Sequence, residues 1–276
     1  MPIILSLAKT ENELWAAGPE GLFRLNGHGL EAVPQPQQEL ACCASDGTRL
    51  LVGGLPHGTA FSLDKGGNWQ ASWMDTVETS VLCIVADPRA AETGTLLAGT
   101  AGGGILRSHN RGHSWDVCNF GLRDYTVLAL AWAPPAPESV WPRWDVVLAA
   151  TEEGVYRSPN GGRGWRRSEG IEGVVQTLAV GADFHTTGVV LAGTETLGLW
   201  RSTDGGRIFA PVTGGPGRVD AITATPGGWL LSDETGLWRS VDGQSWTGLA
   251  DSRPALVLLS TPQGVWAGGE DGVTLI

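Results

Sequence analysis

A short polar turn recurs along the chain, and this recurrence limits the possible folds more than any bulk property does. Residues 61–69 read FSLDKGGNW, 107–115 RSHNRGHSW, 157–165 RSPNGGRGW, 201–209 RSTDGGRIF and 239–246 RSVDGQSW. In-phase copies at intervals of about 40 residues mark a repeat architecture, and that must be settled before any element is assigned. Just upstream of each turn lies a short apolar segment, such as GILRS (104–108), GVYRS (154–158) or GLWRS (198–202). Weaker members are GLFRL (21–25), GTAFS (58–62) and GVTLI (272–276), and GLWRS recurs at 236–240. A second segment precedes it, as in LLAGT (96–100) and VLAGT (190–194), and a third precedes that, as in VLCIVA (81–86) and VLALAW (127–132). The third set is apolar or small at nearly every position, the mark of a strand buried on both faces.

Each unit therefore reads as strand A, strand B, strand C, a polar turn and an outer strand D. Units begin near residues 3, 40, 81, 127, 175, 219 and 255. Short antiparallel strands in units of this length fit the blade of a β-propeller. The expectation is all-β: one domain over 1–276, a single seven-bladed β-propeller with no helix beyond about eight residues. The seventh unit reaches Ile276 directly after its strand C, so blade 7 is expected to hold three strands. The ring then closes by packing the first blade on the last, and strand 272–276 is left as an edge. Such an edge is a candidate for self-association or for a partner's strand, and Thr274→Pro is expected to disrupt that pairing.

The turn pattern is Ser-x-Asp/Asn-x-Gly-x-x-Trp/Phe. The carboxylate or amide can accept amide hydrogen bonds inside the turn, the hydroxyl can bridge to it, and glycine supplies a positive φ. The aromatic can fold over its own hairpin or a neighbouring blade and exclude water. The sets are Ser62, Asp64, Gly66, Trp69; Ser108, Asn110, Gly112, Trp115; Ser158, Asn160, Gly162, Trp165; and Ser202, Asp204, Gly206, Phe209. In the fifth, Ser240, Asp242 and Trp246 match with one residue deleted. This pattern resembles the Asp-box (BNR) repeat of sialidases, xyloglucanase-type glycosidases, sortilin-type receptors and photosystem II assembly-factor propellers. The resemblance implies that the turns are structural and lie on the face away from the usual ligand site. Their carboxylates are then neither catalytic acids nor metal ligands.

Composition narrows the function classes. Net charge is −11 with no basic run, which argues against a nucleic-acid partner. No stretch is long and apolar enough to span a membrane, and the first residues, MPIILSLAKTENELW, lack the features of a signal peptide. The four cysteines, Cys42, Cys43, Cys83 and Cys118, have no C-x-x-C spacing and read as buried free thiols. The expectation is a cytoplasmic protein with no cofactor and no metal.

Propeller topology puts the D-to-A connections and the B-to-C loops on one face, opposite the polar turns. Arg123, Asp124, Tyr125, Arg218, Asp220 and Arg253 fall in D-to-A connections and form the candidate partner-binding face. Glu20, Glu152, Glu153, Glu195, Asp233, Glu234, Glu270 and Asp271 fall in B-to-C loops and are expected to form an acidic rim around those arginines. A sialidase would need a tyrosine nucleophile beside an arginine cluster, but Tyr156 sits in a strand C and reads as packing. A glycosidase needs two facing carboxylates; the candidates are Asp75, Glu78, Asp124, Glu169, Glu172 and Asp220. The size and plainness of the blades are closest to the assembly-factor propellers, a likeness that implies an arginine-bearing face meeting a polypeptide. The reading is a non-catalytic protein-interaction platform with a protein or peptide partner. The alternative is a carbohydrate-binding or glycosidase-like propeller.

Overall fold

Seven antiparallel sheets, one per repeat, follow one another along the chain. The computed structural model describes residues 1–276 except 12, 27–28, 37–38, 56–57, 75–78 and 140–143. Blade 1 comprises Ser6–Lys9, Leu14–Gly18, Gly21–Asn26 and Gly29–Val33 as strands A to D, paired in that order. Strands A of blades 2 to 7 are Glu39–Ser45, Val81–Ala86, Val127–Trp132, Val175–Val180, Ala221–Thr225 and Val257–Thr261, each close to its expected place. Strand D shortens to two residues in several blades, as in Arg166–Arg167 and Thr247–Gly248. Blade 7 has three strands, ending with Gly272–Leu275. One pairing was not expected: Trp73–Met74, after blade 2, runs parallel to Ser114–Val117 and makes blade 3 five-stranded. The helices among the described residues, Ala90–Thr93 and Phe184–Thr187, are single turns in A-to-B connections.

Each strand A contacts the A strands on either side, and blade 7 meets blade 1 in the same way. A repeated contact explains the glycine in the strand B pattern. A Cβ at Gly53 would lie 2.7 Å from Val81 Cγ1, and one at Gly99 would lie 2.6 Å from Val127 Cγ1. Only a residue without a side chain lets the next strand A come this close. Gly268 repeats the contact with Ile4 Cγ2 at 2.7 Å, and the Ile4 N–H donates to Gly269 O at 3.1 Å. Ile4 is fully buried with Val257, Leu259 and Trp266. Ring closure therefore uses ordinary blade-to-blade packing, with no strand exchanged.

The polar turns share one hydrogen-bond circuit. In blade 5, Ser202 Oγ donates to Asp204 Oδ1 at 2.7 Å and accepts from Gly206 N–H at 3.0 Å. Asp204 Oδ1 in turn accepts the amides of Arg207 and Ile208 at 2.9 and 3.1 Å. Ser62–Asp64–Gly66, Ser108–Asn110–Gly112 and Ser158–Asn160–Gly162 repeat it. In the shortened turn, Gly243 N–H takes the place of the Gly206 amide on Ser240 Oγ at 2.8 Å, and Asp242 Oδ1 accepts from Gln244 and Ser245. Trp115, Trp165 and Phe209 are buried, each in a cluster with residues of the preceding blade, and Trp69 and Trp246 are half-buried in the same position.

A second device, unseen in the sequence, links consecutive blades. The arginine before the turn serine is not a solvated strand end. Arg107, 4% exposed, donates Nε–H to Gly161 O of the next turn at 3.0 Å, and Arg157 does so to Gly205 O at 2.7 Å. Burial lowers the Arg157 guanidinium to about 10.

The turn carboxylates tie stability to acid pH. Amides of Ser245 and Gln244 hold Asp242 down at about 2, and Asn68 and Ser62 lower Asp64. At Asp204 burial pushes upward, but bonds from Ser202, Ile208 and Arg207 outweigh it and leave the group lowered. A carboxylate lowered in the folded state adds stability above its unfolded value of about 4, lost as pH falls through the folded value. Stability is therefore expected to decline from about pH 4 toward pH 2. Converting Asp64, Asp204 and Asp242 together to asparagine, the residue already used at Asn110 and Asn160, should flatten that limb. Denaturant midpoints across the range test this, and an unchanged slope would refute it.

Candidate functional site: the loop face

Two loop sets meet on one face. Arg218, between blades 5 and 6, pairs with Asp220 at 2.7 Å and reaches Glu195, in the blade 5 B-to-C loop, at 3.7 Å. Arg253, between blades 6 and 7, pairs with Asp271, in the blade 7 B-to-C loop, at 3.0 Å. Asp124 accepts the amides of Thr126 and of Glu153, from the blade 4 loop, at 3.0 and 2.9 Å. The Tyr125 carbonyl accepts from Gly102 and Gly104 of the blade 3 loop, at 3.0 and 2.8 Å, leaving the phenol ring exposed. The connections are thus tied to the loops beside them by backbone and ionic bonds.

Strand A begins at this face, and blades 2 to 5 each carry a register shift within two residues of that end. Such bulges turn a side chain out of the regular pleat. In blade 5 the bulged residue is Gln176, whose Nε2 donates to Val219 O at 2.8 Å and toward Asp220 Oδ1 at 3.4 Å. Asp220 is thereby held between a guanidinium and an amide. The hydrogen bond and charge of Asp220, with Glu195 and Glu234 behind it, raise the Arg218 pKa.

The rim differs from expectation at one position. Glu152, Glu153, Glu195, Glu234, Glu270 and Asp271 are exposed, and exposed Glu20 accepts the Ile3 N–H at 3.2 Å. Asp233 is buried: Oδ1 caps the Thr235 and Gly236 amides and Oδ2 accepts from Trp238 Nε1 at 2.9 Å. It belongs to the hairpin and presents no charge to solvent, because a B-to-C turn of this geometry needs an acceptor for its own amides. Among the described residues Arg123 forms no ion pair, so it is the arginine of the three with its charge uncompensated.

Among the described residues the candidate carboxylates do not assemble into a facing pair. Asp124 and Asp220 hold their own loops, and the exposed Glu172 side chain makes no hydrogen bond or ion pair among the described residues. Glu169 sits at the outer perimeter, where its amide donates to Arg207 O and its carbonyl accepts from Phe209 N–H. Asp75 and Glu78 lie outside the described residues. Tyr156 is fully buried and cannot meet a substrate. Among the described residues no cluster of three metal-ligating side chains exists. All four thiols are free, and burial pushes Cys43 and Cys83 up to about 12, so neither is a ready nucleophile.

A feature missed in the sequence is a perimeter groove of about 440 Å³ between blades 4 and 5. Its lining includes Trp144, Arg166, Arg167, Glu169 and Arg207, and Trp144 is 51% exposed. These residues come from a connection, an outer strand and the next turn, so no local motif announces them.

The fold and this face define the chain as a seven-bladed β-propeller. No family model and no curated protein matches it. Solved structures do. YCF48 bound to D1 peptide is similar at 17% identity and TM-score 0.76, over 99% of this chain and 92% of that one. The GH74 xyloglucanase from Xanthomonas campestris is similar at 16% identity and TM-score 0.75, over 99% of this chain and 51% of that one. An extracellular domain from B. thetaiotaomicron is similar at 14% identity and TM-score 0.75, over 99% of this chain and 38% of that one. The chain thus spans about half of the xyloglucanase and 38% of the extracellular domain, and identities this low carry the fold alone. No helix among the described residues is long and apolar enough to cross a membrane.

Proposed function

We propose that this propeller is a non-catalytic protein-interaction platform whose polypeptide partner docks on the face bearing Arg123, Arg218 and Arg253. The observation that carries the reading is the state of the carboxylates there. Asp124 and Asp220 are both engaged in loop bonds, so among the described residues the face offers exchangeable ion pairs and no acid–base couple. A partner with alternating charge can trade places with the Arg218–Glu195 and Arg253–Asp271 pairs, and Arg123 stands ready for a carboxylate. The likeness to YCF48, solved with a bound peptide, supports a peptide ligand. We read the five turns as Asp-box (BNR) turns and the seven units as one domain over 1–276. Four free thiols fit a reducing compartment.

A second reading, glycan binding, draws on the exposed Trp144 beside Glu169 in the perimeter groove. One comparison separates the two. Wild type and the variant Arg123→Glu/Arg218→Glu/Arg253→Glu are immobilised and exposed to the same native lysate. Polypeptides retained by the wild type should be lost from the variant at unchanged melting temperature. Their association should slow about tenfold from low to high salt, as for a charge-steered encounter. Equal retention by both proteins, or cleavage or binding of xyloglucan oligosaccharides, overturns the proposal.

A further inference from the structure

Blades 2 to 6 each place the same extended segment against strand C. Backbone amides of Ser72, Cys118, Ser168, Val212 and Leu249 donate to Thr59 O, Ile105 O, Val155 O, Leu199 O and Leu237 O at 2.8–3.0 Å. In every case the donor lies three residues after the turn aromatic: Trp69, Trp115, Trp165, Phe209 and Trp246. That aromatic packs against the preceding blade, and the preceding blade's strand C arginine reaches the turn backbone in two of these interfaces.

Among the described residues blade 7 holds no such segment, and four features of the molecule match its outline. The carbonyl in the equivalent place is that of Val273, and no described amide reaches it. Arg239, in the equivalent place to Arg107, is exposed and makes no hydrogen bond or ion pair among the described residues. The apolar cluster between blades 6 and 7 holds Leu230, Leu237, Ala255, Leu258 and Val265, with Leu249 and Ala267 against it, and no aromatic. Grooves of about 540 and 660 Å³ flank Ile276; Leu230 and Arg239 line the first, Leu237 and Val273 the second.

We propose that the edge of blade 7 receives an extended peptide strand from a partner protein. Its aromatic side chain enters between blades 6 and 7 over Leu237, and the amide three residues later donates to Val273 O. The second groove is also lined by Arg253 and Asp271, so the site borders the arginine-bearing face. A second copy of this chain is the poorer occupant, because its own edge strand, Gly-Val-Thr-Leu, brings no aromatic to the slot.

The register also identifies the residue to change. Ile276 N–H donates inward to Val265 O at 2.8 Å, so alternation turns Thr274 inward and Val273 and Leu275 outward. Proline at Thr274 would break the blade's own ladder; Leu275→Pro removes an outward donor and leaves that ladder intact.

The test uses a fluorescein-labelled peptide copying residues 240–250 of this chain, which contains Trp246 and Leu249. Fluorescence polarisation should show saturable binding to the full chain. Replacing the peptide's tryptophan by alanine should weaken binding at least tenfold, as should Leu275→Pro in the protein, and Arg239→Ala should weaken it severalfold. Melting curves check that each variant is folded. Should Leu275→Pro fail to fold, the peptide substitution and Arg239→Ala still decide the matter. No binding at millimolar peptide, or binding indifferent to the tryptophan, overturns the proposal. A dimer in light scattering that Leu275→Pro dissolves would give the edge to a second copy and overturn it equally.

Discussion

Gly206→Ala is expected to lower the stability of the propeller by roughly 2–4 kcal/mol, although it adds one methyl group to a turn. Two costs coincide there. Gly206 has φ +83°, where an L side chain crowds its own carbonyl, at about 1–2 kcal/mol. Its Cβ would also overlap Leu148 Cδ2 of the preceding blade's strand B. The same approach recurs at Gly112 over Leu51 and Gly162 over Leu97, so the turn glycine is at once a conformational and an inter-blade residue. Leu148 is fully buried and cannot retreat without disturbing its neighbours. For a chain of this size the melting temperature should fall by about 5–10 °C. The control is Gly227→Ala, where a Cβ meets nothing within 4 Å and the change should be within about 0.5 kcal/mol. Equal melting temperatures for the two variants would show that the turn adapts and does not clamp the blades.

Arg107→Ala should cost about as much, roughly 2–4 kcal/mol, by a different route. The guanidinium is buried, and its Nε–H is the donor to Gly161 O in the next turn. Truncation strands that carbonyl and removes the packed stem of the side chain together. Lysine should recover only part of the loss, since it cannot offer Nε–H in the same plane. Arg239 occupies the same position of the repeat but is exposed and meets no turn among the described residues, and Arg239→Ala should change stability by less than about 0.5 kcal/mol. Chemical denaturation of the three variants separates these cases. A large loss at Arg239 would contradict the account of the empty slot beside blade 7.

The A, B and C strands, the unit starts and the polar turns were legible in the linear sequence, and for one reason: each is decided by contacts within a few residues. A strand A such as VLCIVA is apolar on both sides wherever it goes. The Ser202–Asp204–Gly206 circuit closes inside five residues, so its chemistry can be read before any neighbour is known. The three-stranded last blade follows from the same count of segments. What the tertiary structure decided is everything that depends on the next blade, 40 or more residues away. Arg107 and Arg239 stand in one pattern, yet one is a buried staple and the other an exposed cation, because among the described residues only the first meets the turn of a following blade. Asp233 is the local exception: its partners Thr235, Gly236 and Trp238 lie within five residues, and only the folded hairpin shows that they consume it while Glu234 meets solvent. The Glu169 backbone pairs with the turn of blade 5, a contact that only the neighbouring blade supplies. A carboxylate's environment is set by which donors surround it in space. In a ring of blades those donors come from the neighbouring repeat, and a sequence period shows that the neighbour exists without showing which of its atoms arrive.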